Sequence, residues 1–184
     1  MPVSEATYQQ VALEDPESKW ELHCGQLRRK PSMTMPHNTL QDELVFVLKL
    51  ALPRDRFEVR SAARARRNEQ HSYVPDAMVI PIEAWRRYRR SPDLESYSEP
   101  LPLVVEIWSR STGDYDVDEK LPEYQRRGDL EIWRLHPYER TLTAWRRAPD
   151  GTYAEHRWTA GTVELHAIAG VSIDLDALFA ALDR

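Results

Sequence analysis

One cysteine, six glycines and four lysines are all that 184 residues hold of those types. Each shortage excludes something. A lone cysteine, Cys24, forms no internal disulfide, which suits a reducing cytoplasm, and it rules out a zinc site built from cysteines alone. The sparse glycines form no GxGxxG and no Walker-type loop, so nucleotide binding has no support. No apolar run approaches the ~18 residues of a membrane helix. The opening MPVSEATYQQ has neither the basic start nor the apolar stretch of a secretory signal. No internal repeat or low-complexity tract is visible, and the length points to one domain over residues 1–184 with a normal core.

Charge is abundant and unevenly placed. Acids outnumber bases 30 to 25, giving a net charge of -5, which argues against a generic polyanion binder. All bases except Lys19, Lys30, Lys49 and Lys120 are arginine. Arg60, Arg64, Arg66 and Arg67 form one cluster, and Arg86, Arg87, Arg89 and Arg90 another. Asp114, Asp116, Asp118 and Glu119 form an acidic run that ends in Lys120.

Patterning predicts an alternation of helices and strands. A short helix is expected over 4–14. Residues 20–22 and 26–29 read as a hairpin around Cys24-Gly25, a pair that is poor turn chemistry. Leu40, Leu44, Val47, Leu48 and Ala51 mark an amphipathic helix over 38–52, between Pro36 and Pro53. Strands are expected over 56–63 and 74–80, a short helix over 82–90, and a loop over 91–102. The apolar run Leu103–Trp108 reads as a strand buried on both faces. A helix follows over 116–127, its regular part beginning near Lys120 because Pro122 fits only a first turn, with Gly128 past its end. Strands over 132–135, 142–145, 153–158 and 163–165 and a helix over 174–182 complete the chain. The order implies an α/β or α+β domain with a mixed central β-sheet flanked by helices.

Glu106 is the most informative residue, because every neighbour in Leu103–Trp108 is apolar. A buried carboxylate must be paired, protonated or bound to a cation. One reading is a strand end or structural ion pair; the other is a site. Asp76, beside Pro75 at the start of another strand-like run, has the same two readings. If the two strands are sheet neighbours, the carboxylates meet, and such oxygen ligands suit Mg²⁺ or Mn²⁺ opposite a phosphate. Phosphodiester attack also needs a cation to stabilise developing charge. Lys120, at the start of the next helix, either supplies it or is a solvated residue paired with Asp116 or Glu119.

Pro75-Asp76, the strand ending Val105-Glu106-Ile107 and a lysine beyond it resemble the PD-(D/E)XK nuclease superfamily. The usual lysine, two residues after the acid, is here Trp108. The branch with its lysine on the following helix is the Uma-two family of endonucleases, which this chain resembles over roughly residues 20–180. Val105–Thr112 matches that family's V-E-V-x-S-x-S-T. Asp116, Glu119-Lys120-Leu121, Tyr124 and Gly128 follow at its spacing. Trp20-Glu21-Leu22 with Gly25 matches its Y-E-L-x-x-G, His37 a family histidine, and Ala169-Gly170-Val171 through Phe179 its closing segment. Arg110 and His136 stand where the family has proline and aspartate.

The resemblance implies a restriction-endonuclease-like fold and hydrolysis of DNA by a metal-activated water. It makes Asp76 and Glu106 the metal-binding acids and Lys120 the catalytic lysine, with Glu21 and His37 in auxiliary roles. By the same analogy a homodimer is expected. The other readings are an exposed hairpin residue for Glu21 and a helix-start residue with a local hydrogen bond for His37. The arginine clusters fit either phosphate contacts or solvated faces that balance the acids. Two other functions stand beside the nuclease: an inactive nuclease-like module for nucleic-acid binding or dimerisation, and a glycosidase using the two acids.

Overall fold

The computed structural model describes residues 2–184. Helix α1 (Glu5–Glu14) is capped by Ser4, whose hydroxyl accepts from the Thr7 N–H. Strands β1 (Trp20–His23) and β2 (Gln26–Arg29) form the expected hairpin. Helix α2 (Met35–Ala51) begins earlier than expected and takes Pro36 into its first turn, where the missing N–H has no helical partner to lose. Then come β3 (Phe57–Arg60), β4 (Arg64–Asn68), β5 (His71–Tyr73) and β6 (Ala77–Pro81). Helix α3 (Ile82–Arg86) is shorter than the patterning suggests. The expected loop holds β7 (Ser96–Tyr97) before β8 (Leu103–Ile107).

The helix expected over 116–127 is three pieces: α4 (Gly113–Tyr115), a π-helical turn (Asp116–Lys120) and α5 (Leu121–Arg127). Pro122 has no N–H to donate, and the preceding Leu121 N–H reaches back to Asp116 O, widening the turn. Neither Asp116 nor Asp118 caps the helix; Asp116 turns inward instead. Gly128, at φ +80°, closes α5 in the left-handed region. Strands β9 (Glu131–His136), β10 (Thr141–Arg147), β11 (Tyr153–Trp158), β12 (Thr162–Glu164) and β13 (Ser172–Asp174) precede α6 (Leu175–Ala180).

The strands form not one sheet but a six-stranded sheet in the order β11-β10-β9-β8-β6-β3, a five-stranded sheet β2-β1-β5-β4-β7, and the pair β12-β13. The six-stranded sheet is mixed, with β8 parallel to β9 and antiparallel to β6. One face of it meets Leu40, Leu44 and Leu48, which recur every four residues along α2 and pack with Val79, Leu103 and Val105. Each such leucine contributes about 1.5–3 kcal/mol by burial. On the other face Met78, Ile80 and Val104 pack with Tyr73, Tyr97 and Tyr124. Burial on both sides explains the continuous apolar run of β8, and alternation sends Glu106 to the same face as Val104. The chain passes between the two large sheets at Val74-Pro75-Asp76, from β5 to β6. No helix among the described residues is long and apolar enough to cross a membrane.

Candidate active site

The crossing point gathers the charged residues. Ala77 pairs with Val105 and Met78 with Val104, so one further step of that register sets Asp76 opposite Glu106. The Asp76 N–H donates to Val105 O at 3.0 Å. Its Oδ2 accepts from the Ile107 N–H at 2.7 Å and faces His37 Nε2 at 3.1 Å. Its Oδ1 accepts from Lys30 Nζ at 2.8 Å. Burial opposes ionisation of Asp76, but Lys30 and His37 outweigh it and hold the carboxyl below its usual range. An ionised carboxylate only accepts, so His37 Nε2 carries the hydrogen, and the buried Nδ1 has no partner among the described residues.

Glu106 is buried at 3% exposure. Its Oε1 accepts from the Tyr124 hydroxyl at 2.6 Å and from Lys120 Nζ at 3.2 Å. Its Oε2 lies 3.6 Å from Lys30 Nζ, beyond hydrogen-bond reach, and is otherwise unpartnered among the described residues. Here burial outweighs the attraction of Lys120 and Lys30, and Asp116 and Asp76 add repulsion; Glu106 is pushed up to about 8.

Lys120 has no exposed surface. Its Nζ is 2.9 Å from Glu21 Oε1, 3.2 Å from Glu106 Oε1 and 3.3 Å from Asp116 Oδ1. Burial alone would lower its pKa, but these three acids raise it, so the ammonium stays charged. Glu21 also accepts from the Val74 N–H at 2.9 Å, tying β1 to the crossing segment. Glu21 is therefore a buried site residue rather than an exposed one, and His37 serves Asp76 rather than its own helix end. All five residues singled out in the sequence — Asp76, Glu106, Lys120, Glu21 and His37 — lie in one buried network.

The network also contains residues given no role by the sequence. Lys30, just past β2, donates from one ammonium to Val74 O and Asp76 Oδ1, both at 2.8 Å. Gln41, one turn after His37, donates to Asp76 O at 2.7 Å. Tyr124 and Asp116 hold Glu106 and Lys120 as described. Tyr124 and Asp116 had a signal in their motif spacing; Lys30, beyond a polar hairpin, had only the scarcity of lysine. Lys30 and Gln41, both bonded to Asp76, also line a cleft of about 400 Å³ together with Glu17, Lys19 and Arg29.

The arginine clusters lie elsewhere, and five of their eight members are matched by acids. Arg60 pairs with Glu95 at 3.2 Å, Arg66 with Glu5, Arg67 with Glu123, Arg86 with Glu83 and Arg87 with Glu99. These pairs favour the charge-balancing reading. Trp108, at the superfamily's usual lysine position, and His136, at the family's aspartate position, touch each other: their rings stack with centroids 4.3 Å apart.

A family model, Uma2, described as "Putative restriction endonuclease", matches residues 5–176. A crystal structure from Anabaena variabilis, titled as a "putative nuclease belonging to DUF820", is similar with a TM-score of 0.77. It is 20% identical and the match covers 98% of this chain and 99% of that one, a likeness of fold. No curated protein matches.

Proposed function

Since this chain belongs to the Uma2 family of restriction-endonuclease-like proteins, we propose that it is a divalent-metal-dependent endonuclease that hydrolyses DNA phosphodiester bonds. The observation that carries this reading is the pairing of Asp76 and Glu106 on neighbouring strands, both facing the same ammonium of Lys30.

The donor set fits a hard divalent ion. Glu21, Asp76, Glu106 and Asp116 bring four carboxylates against the two ammoniums of Lys30 and Lys120, and Glu106 Oε2 has a free lone pair. Asp76 and Glu106 would hold the ion, Mg²⁺ or Mn²⁺, as oxygen ligands. Bound there, it would supply a water activated for attack and positive charge toward the phosphate.

The remaining work falls to the chain itself. His37 and the Ile107 N–H fix the Asp76 carboxylate. Tyr124 fixes Glu106 by its hydroxyl. Glu21 and Asp116 hold Lys120 as a charged point beside Glu106, placed to stabilise negative charge that develops on a phosphate. Lys19 and Arg29 along the cleft offer contacts for the DNA backbone. A homodimer in the cytoplasm suits an enzyme that cuts two strands.

One observation favours a second reading. Lys30 already compensates the two acids, as it would in a nuclease-like module that binds nucleic acid without cutting it. Plasmid cleavage in Mg²⁺ or Mn²⁺ separates the two. The nuclease reading expects cleavage by the wild type, none with chelator and none by Asp76→Ala. Metal-dependent cleavage retained in full by Asp76→Ala overturns it; DNA binding without cleavage or metal affinity supports the second reading.

A further inference from the structure

A second cluster of ligating side chains lies at the β1–β2 turn, outside the carboxylate site. Cys24 and Gly25 both have positive φ, +50° and +70°, the pattern of a tight hairpin turn in which Asn-Gly is the usual pair. Cys24 is a poor choice for that backbone, and it is flanked by two histidines. His23 Nε2 lies 3.5 Å from Cys24 Sγ, and His71 Nε2 lies 3.5 Å from the same sulfur. The three ligand atoms fall within 4.8 Å of one another. His23 Nε2 is also 3.1 Å from Oε2 of Glu119, on the π-helical turn.

The two sulfur–nitrogen distances match an ion-binding set. With Zn–S near 2.3 Å and Zn–N near 2.0–2.1 Å, neighbouring S and N ligands of a tetrahedral zinc stand about 3.5 Å apart. The groups behind the rings are in place as well. Asn68 Oδ1 accepts the Gln70 N–H at 2.9 Å, which marks it as the oxygen, and it lies 3.0 Å from His71 Nδ1. His71 Nδ1 therefore carries the hydrogen, the longer Arg67 contact at 3.3 Å being the weaker one, and the Nε2 lone pair faces the thiol. His23 Nδ1 is held at 2.7 Å by the Tyr73 hydroxyl. The two rings are buried while Cys24 is exposed, so an ion has a way in.

We propose that His23, Cys24 and His71 form a zinc site whose fourth position is open to solvent. The set of imidazoles and a thiolate suits a borderline-soft ion rather than Mg²⁺. Such an ion ties the β1–β2 turn to β5, the strand that leads into Asp76. It braces the carboxylate site without entering it, and it is independent of the nuclease reading.

Cobalt titration of the full, reduced chain tests this. Cys24 is the only cysteine, so any thiolate-to-cobalt charge-transfer band reports this site alone. The expected result is one equivalent of Co²⁺ bound with that band and tetrahedral d–d bands, displaced by equimolar Zn²⁺. Cys24→Ser, an exposed turn change, loses the band. Asn68→Ala, which removes only the group behind His71, weakens binding about 10–100-fold. Absence of the band in the wild type overturns the proposal. So does a band of unchanged affinity in a folded His71→Gln, since the thiol would then bind the ion without the histidine.

Discussion

The Lys30 ammonium lies 2.8 Å from Oδ1 of Asp76, buried at the same carboxylate pair proposed to hold a divalent ion. With Glu106 Oε2 on its other side at 3.6 Å, Lys30 compensates the pair from within the chain. A cation bound by both acids must share or take over that role. Lys30→Met removes the internal competitor and leaves two acids uncompensated. Without metal the variant should be less stable by about 3–5 kcal/mol, the cost of breaking a buried pair. The Mn²⁺-induced rise in Tm should be larger than in the wild type, because the ion binds the folded state more tightly. An equal or smaller rise in the variant contradicts this role for Lys30.

Tyr124 is buried and its hydroxyl donates to Glu106 Oε1 at 2.6 Å. Tyr124→Phe keeps the ring in the apolar layer with Tyr73 and removes only that donor. Urea unfolding should show a loss of about 1–3 kcal/mol. Plasmid cleavage should fall as well, because Glu106 loses its fixed orientation. Wild-type stability and cleavage together would show that the hydroxyl does not position Glu106.

The two proposed ligands titrate in opposite directions. Glu106 holds its proton more tightly in the folded chain, up to about 8, than at its ordinary 4.5. Between those values the folded state carries more protons, so this contribution to the stability of the metal-free protein is lost as pH rises through the window. Asp76 is held below its ordinary 3.8, so its contribution is present above that value and lost as pH falls below it. Thermal unfolding across pH should show both limbs. Glu106→Gln should flatten the fall between about pH 4.5 and 8 while leaving the acid limb; an unchanged fall in that window contradicts the assignment.

Much of the site was legible because its residues break local rules. Glu106 interrupts an apolar strand, Lys120 ends an acidic run, and Asp76 opens a strand beside a proline. The five-stranded sheet was harder to read. β4 presents Arg64, Arg66 and Arg67 around the single buried Ala65, so it reads as a charge cluster although Arg66 and Arg67 are strand residues paired with acids. Lys30 was invisible for a related reason: its partners are 44 and 46 residues away in the chain, and nothing in Arg28-Arg29-Lys30 distinguishes it from a solvated basic stretch. The π-helical turn follows from Pro122 only once the inward faces of Asp116 and Lys120 are known.

Gly113 is a packing constraint that no motif announces. A Cβ there would lie 2.6 Å from Cδ1 of Trp108 and nearer still to its indole nitrogen. Trp108 cannot yield easily, being stacked on His136 and edge-on to Tyr138. Gly113→Ala should cost about 1–3 kcal/mol in urea unfolding and shift the tryptophan emission. A neutral substitution would mean that the loop after β8 repacks freely.

The central claim is that Asp76 and Glu106 together bind a divalent ion. Calorimetric titration of Mn²⁺ into the wild type, Glu106→Gln and Cys24→Ser tests it most directly. The account predicts binding in the wild type and in Cys24→Ser and its loss in Glu106→Gln. No binding in the wild type, or equal binding in Glu106→Gln, would contradict it.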